Sequence, residues 1–112
     1  MALILNETEL PGTTSHTFEG YHYGDVPVSF FTSHTPPGRG PSLHTHPYAE
    51  VFVVHSGRLR FTVGDETAEA SGGQIIIAPA GTPHKFANAG DVTAHHTDIH
   101  TSAQMETTWL EP

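Results

Sequence analysis

In the run LHTHPYAEVFVV, His44 and His46 stand two positions apart and Glu50 follows; His84 comes later, behind the turn Pro79-Ala80-Gly81-Thr82-Pro83. On an extended strand, alternate residues point to one side, so the two imidazoles present a single face. Pro47 interrupts regular strand pairing, and the chain can then turn to bring the Glu50 carboxylate to the same point. His84 could supply a fourth donor. Neutral imidazoles with one carboxylate suit a divalent first-row ion, and Fe, Mn, Ni, Cu, Co and Zn are all compatible with these donor types. A His-x-His pair on its own is more often a surface or satisfied core feature, so the assignment depends on whether the fold brings Glu50 and His84 to it.

The composition narrows what such a site could serve. The chain has 112 residues, enough for one domain, with a hydrophobic fraction of 36%, Gly 11 and Pro 9, which argues for short strands separated by many turns. Net charge is −8 with only 4 Lys+Arg, so no basic surface exists for nucleic acid or an anionic membrane. Cysteine is absent, which removes thiolate ligands and leaves His, Asp and Glu. No apolar run approaches the length of a membrane span, and no secretory leader is evident, so a cytoplasmic protein is expected.

The elements that must position the site read as strands. VPVSFFTSH (residues 26–34) is rich in β-branched and aromatic residues and stops at Pro36-Pro37-Gly38. Two apolar runs meet at Ser56-Gly57, which predicts a hairpin, and the second alternates Leu59, Phe61 and Val63 with polar residues. The first run carries Phe52 and Val54 on one face and Val51 and Val53 on the other, so something must cover its outer side. QIIIA, a short strand with His84 and Phe86, and DVTAHHTDIH complete an all-β reading. Near the end, Thr101 with Gln104 resembles a capping box, and Met105 and Trp109 share a helical face, which predicts a short C-terminal helix.

Around the donors, Phe52, Phe61, Phe86 and Ile75 read as core packing or pocket wall ahead of specific substrate contacts. Tyr48 stands beside the donors and could line a pocket. His96, Asp98 and His100 share one face of the last long strand: a proton relay if that face is interior, although a solvated row is the plainer reading. The Asn88 amide is expected to fix the following turn.

Gly38, His44, His46, Glu50 and Gly57 occupy every fixed position of the first cupin motif, and Gly73, Pro79, Gly81, His84 and Asn88 every fixed position of the second. The chain therefore resembles the small single-domain cupins of the conserved-barrel type, over roughly residues 18–110. The resemblance implies a double-stranded β-helix, or jelly roll, with an N-terminal strand or arm over 1–17, a barrel over 18–100 and a C-terminal segment over 101–112. It also implies one divalent transition metal held by His44, His46, Glu50 and His84, usually in a homodimer, and Val51 with Val53 independently calls for such a partner surface. The expected function is a metalloenzyme acting on a small organic substrate, with oxygenase chemistry ahead of non-redox cyclase, isomerase or lyase chemistry. A small-ligand-binding cupin without turnover is the alternative.

Overall fold

The computed structural model describes residues 2–112. Ten strands follow one another: β1 (His16–Glu19), β2 (Ser29–Thr35), β3 (His44–Thr45), β4 (Glu50–Ser56), β5 (Arg58–Val63), β6 (Glu66–Ser71), β7 (Ile75–Ala78), β8 (His84–Asn88), β9 (Ala94–His100) and β10 (Thr108–Trp109). They form two antiparallel five-stranded sheets, ordered β1-β2-β9-β4-β7 and β10-β3-β8-β5-β6. Apolar residues alternate inward on β4 and β5, so Phe52, Val54, Leu59 and Phe61 are buried between the sheets. The Phe52 and Phe61 rings pack at 4.9 Å, and Phe86 closes the cluster against both.

Ser56-Gly57 does not make the expected hairpin. β4 pairs with β7 and β9 in one sheet, whereas β5 pairs with β6 and β8 in the other. Gly57 is a corner at which the chain changes sheets. Its φ is 87°, and a Cβ there would lie 2.8 Å from the Ala94 Cα, so only glycine fits. Two strands with apolar inner faces satisfy both by facing each other across the core instead of lying side by side. The tight hairpin is the next one, β5 to β6, closed by Gly64-Asp65 with Val63 opposite Glu66.

The C-terminal helix is also replaced. Residues 101–107 run as bends and irregular chain, and β10 then pairs with β3, Trp109 opposite His44. The Thr101 hydroxyl donates to the Ala49 carbonyl at 2.8 Å rather than capping a helix. Tertiary partners take the backbone groups that a helix would have paired internally: Met105 N donates to Glu19 Oε2 at 3.0 Å and Leu110 N to the Leu43 carbonyl at 2.9 Å.

On the outer face of the first sheet, Val51 stands opposite Ile77 and Val53 opposite Ile75. Ile75, expected in the core, is 60% exposed, because β7 is an edge strand and places only Ile76 and Ala78 inward. Among the described residues no helix is long and apolar enough to cross a membrane.

Candidate metal centre

Both sheets contribute to one cluster. In the second sheet β3 sets His44 directly opposite His84 on β8, and His46 follows just past the end of β3. In the first sheet Glu50 begins β4 and lies opposite His100 on β9. The Pro79-to-Thr82 turn ties the two halves together, since Gly81 N donates to the His46 carbonyl at 2.8 Å with Gly81 at a φ of 74°. One donor atom from each of His44, His46, Glu50 and His84 lies within 4.8 Å of every other, and all four side chains are buried.

The protons on these imidazoles are fixed by their neighbours. Nδ1 of His44 faces the Ser42 carbonyl at 2.7 Å, Nδ1 of His46 the Glu106 carbonyl at 2.7 Å, and Nδ1 of His84 the Thr82 carbonyl at 2.9 Å. A carbonyl only accepts, so each Nδ1 must donate and each neutral ring turns an Nε2 lone pair inward. There, His46 Nε2 lies 2.9 Å and His84 Nε2 3.1 Å from Glu50 Oε1. Among the described residues, buried His46 Nε2 has no hydrogen-bond partner. Acceptor facing acceptor at these distances is unfavourable unless a cation or a proton lies among them. The donor set therefore fits a divalent ion.

The electrostatics follow from the same contacts. Burial pushes the Glu50 carboxyl up, but the hydrogen bond from His100 and, when they carry a proton on Nε2, the close imidazoles of His46 and His84 outweigh it and hold the group well below the usual carboxylate range. Burial pulls His44 below its ordinary value. For His84 burial acts in the same direction, yet the Glu50 carboxylate and the Thr82 carbonyl outweigh it and leave the imidazole above its ordinary value.

A cavity of about 230 Å³ opens beside the donors. His44, His46 and Glu50 form one end of its lining, and Phe31, Phe86 and Trp109 supply apolar wall. Ser33, Asp98 and His100 also line it, and among the described residues no Lys or Arg does.

The face of β9 that carries His96, Asp98 and His100 is therefore interior, not a solvated row: all three are 4% exposed or less. The outer face of the same strand carries half-buried Ile99, an inversion of the usual pattern that made the sequence misleading. His100 Nε2 lies 3.3 Å from Glu50 Oε2, and its Nδ1 lies 2.6 Å from the Tyr48 hydroxyl. Tyr48 does not line the cavity; it stacks on His46 at 5.1 Å, and burial raises its hydroxyl to about 12, so it remains protonated. Phe52 belongs to the core and not to the cavity wall.

Sequence reasoning missed Glu106, Thr107 and Trp109. Glu106 acts through its backbone, accepting from His46 and donating from N to the Tyr48 hydroxyl at 3.1 Å, so no side-chain signal marks it. The Trp109 ring lies 5.0 Å from that of His44. Asn88 braces the second motif: its Oδ1 accepts from Gly90 N at 2.8 Å, and its Nδ2 donates to the Thr35 and Val92 carbonyls.

Residues 31–100 match the family model of the cupin domain. The chain belongs to the cupin family. Among curated proteins this cupin is 43% identical over 49 residues to an uncharacterised protein of Streptomyces coelicolor, spanning 44% of the chain and 47% of that protein. It is 34% identical over 71 residues to an uncharacterised protein of Methanocaldococcus jannaschii, spanning 62% and 57%. The chain thus spans about half the length of the curated relatives it matches. Of solved structures, a Klebsiella pneumoniae protein with a double-stranded β-helix domain superposes with a TM-score of 0.70 at 21% identity, over 79% of this chain and 75% of that one. Bacillus subtilis oxalate decarboxylase superposes with a TM-score of 0.78 at 20% identity, over 95% of this chain and 30% of that one. At such identities the likeness establishes the double-stranded β-helix fold and nothing finer.

Proposed function

We propose that this cupin is a metalloenzyme that binds one divalent transition ion through His44, His46, Glu50 and His84 and acts on a small organic molecule in the adjoining cavity. The observation that carries this reading is the convergence of three Nε2 lone pairs and a carboxylate oxygen beside a cavity large enough for a small ligand. A bound ion supplies Lewis-acid polarisation of a substrate oxygen, and a redox ion adds one-electron chemistry with dioxygen.

The chain's own residues prepare that chemistry. The Ser42, Thr82 and Glu106 carbonyls lock the imidazoles with Nε2 inward. His100 donates to Glu50 Oε2, which leaves Oε1 for the ion. Phe31, Phe86 and Trp109 limit water around a bound molecule. Oxalate, the substrate named for the Bacillus subtilis neighbour, is a small dianion. A bound divalent ion is offset here by Glu50 and Asp98, with no basic side chain in the cavity lining among the described residues, so little net positive charge is left for a dianion, which favours a neutral substrate.

Oxygenase chemistry is the first branch to test. Oxygen uptake by iron-loaded protein with diketones or catechols, absent without either partner, supports it. No uptake with any first-row ion sinks that branch, and conversion of a compound without oxygen by the zinc-loaded protein establishes a cyclase, isomerase or lyase instead. Saturable binding without turnover in every case would leave a binding protein.

The apolar outer face formed by Val51, Val53, Ile75 and Ile77 supports a homodimer, in which a second copy covers β4 and the β7 edge. Ile75→Asp with Ile77→Asp should convert the dimer to a monomer in sedimentation velocity, and an unchanged sedimentation coefficient would count against this surface.

A further inference from the structure

The inner face of β9 carries polar groups that metal binding leaves unused. His100 lies level with Glu50, whereas Asp98 lies opposite Phe52 on β4 and Phe31 on β2. Two residues of strand rise, on the order of 6–7 Å, separate the two levels. Asp98 therefore faces the same cavity as the metal donors one inward-facing position further along the sheet, and Ser33, opposite His96, lies one position further still.

The hydrogen bonds behind Asp98 run one way. His96 Nδ1 lies 2.6 Å from Asp98 Oδ1, the Thr35 hydroxyl 2.8 Å from His96 Nε2, and Ser33 Oγ donates to Asp98 Oδ2 at 3.2 Å. Burial raises the Asp98 carboxyl while the His96 and Ser33 hydrogen bonds act against that shift; in its ionised form the carboxylate only accepts, so His96 donates from Nδ1 and Thr35 donates to the Nε2 lone pair. These donors converge on Asp98, whose oxygens each keep further acceptor capacity. His96 is fully buried and does not line the cavity, whereas Asp98 and Ser33 both do.

A carboxylate or phosphate on the ligand would meet like charge here with no lysine or arginine of the cavity lining to offset it. A ligand hydroxyl that donates to Oδ2 in the place Ser33 holds in the free protein releases the Ser33 proton to the ligand oxygen. We propose that Asp98 and Ser33 form a recognition subsite for a hydroxyl group on an uncharged small molecule whose other end reaches the metal through oxygen. His96 and Thr35 are positioning residues that hold the carboxylate from behind. The proposal rests on His44, His46, Glu50 and His84 being the metal ligands.

Cobalt(II)-loaded protein gives a readout independent of turnover, because hydroxamates chelate the ion and shift its visible absorption. Acetohydroxamic acid serves as parent probe, glycolohydroxamic and 3-hydroxypropanohydroxamic acids carry an added hydroxyl, and malonomonohydroxamic acid carries an added carboxylate. The wild type should bind at least one hydroxyl probe about tenfold more tightly than the parent, as a hydrogen bond to a charged group allows, and the carboxylate probe more weakly than the parent. Asp98→Asn should bring the hydroxyl preference to within about twofold and relax the penalty on the carboxylate, with parent affinity unchanged. Ser33→Ala, a smaller change, should reduce the preference in part, and together with the wild-type series it decides the matter if Asp98→Asn does not fold. No hydroxyl preference in the wild type, or the same preference in folded Asp98→Asn, overturns the subsite while leaving the metal site standing. A parent probe that leaves the cobalt spectrum unchanged overturns the metal assignment, and the subsite with it.

Discussion

Stripping the ion with a chelator should lower the melting temperature by roughly ten degrees. In the folded chain three Nε2 lone pairs and Glu50 Oε1 converge, whereas the unfolded chain has no such cluster, so the ion binds the folded state. At a free ion concentration 100 times the dissociation constant, this linkage stabilises the fold by about 2.7 kcal/mol. An unfolding entropy of about 2.1 cal/mol/K per residue gives about 0.24 kcal/mol/K for a chain of 112 residues. The shift is then about 11 °C, and each further tenfold in free ion adds about 6 °C. The assay is differential scanning calorimetry on one preparation, chelated and then resupplied with each first-row ion in turn. His46→Ala combined with His84→Ala should melt at one temperature whether ion is present or not. Equal melting of chelated and resupplied wild type, or a variant that shifts as far as wild type, would refute the reasoning.

Acid should weaken ion binding from a pH above the ordinary histidine value. His84 is raised, so in the ion-free fold its proton is fully on below about 6.5 and lost only as pH rises through a higher value; the ion must displace that proton. His44 is lowered and Glu50 held low, so both compete only at lower pH than His84, and affinity should fall at least about tenfold per pH unit well below the His84 value. Competition with a chromophoric chelator between about pH 5 and 8 measures it, and a flat profile below neutrality would contradict histidine ligation. His100→Phe leaves Glu50 Oε2 without its donor and the Tyr48 hydroxyl without the acceptor at 2.6 Å. Ion affinity should drop about 10–100-fold, with partial recovery in His100→Gln, and a loss under about twofold would show that His100 does not position Glu50.

The fold class and the clustering of the four candidate donors were legible because the turn glycines, the proline and the donors stand at the fixed places of two family motifs. The errors came where tertiary pairing overrode a local signal. Ser56-Gly57 has the sequence of a hairpin, but each flanking strand has an apolar face to bury, and the chain folds across the core instead. The Thr101 to Trp109 segment has helical spacing, yet the His46 ring, the Tyr48 hydroxyl and β3 offer its backbone better partners. β9 misled because the barrel interior beside the donor cluster is polar, so His96, Asp98 and His100 face inward while Ile99 faces out. No sequence pattern marks a residue such as Glu106, which contributes only its peptide groups.

The metal content of the purified protein and of the His46→Ala, His84→Ala double variant tests the central claim most directly. Elemental analysis should find about one divalent transition ion per chain in the wild type and almost none in the folded variant. A wild type that neither retains nor takes up such an ion, or a variant that holds as much as the wild type, would contradict the account.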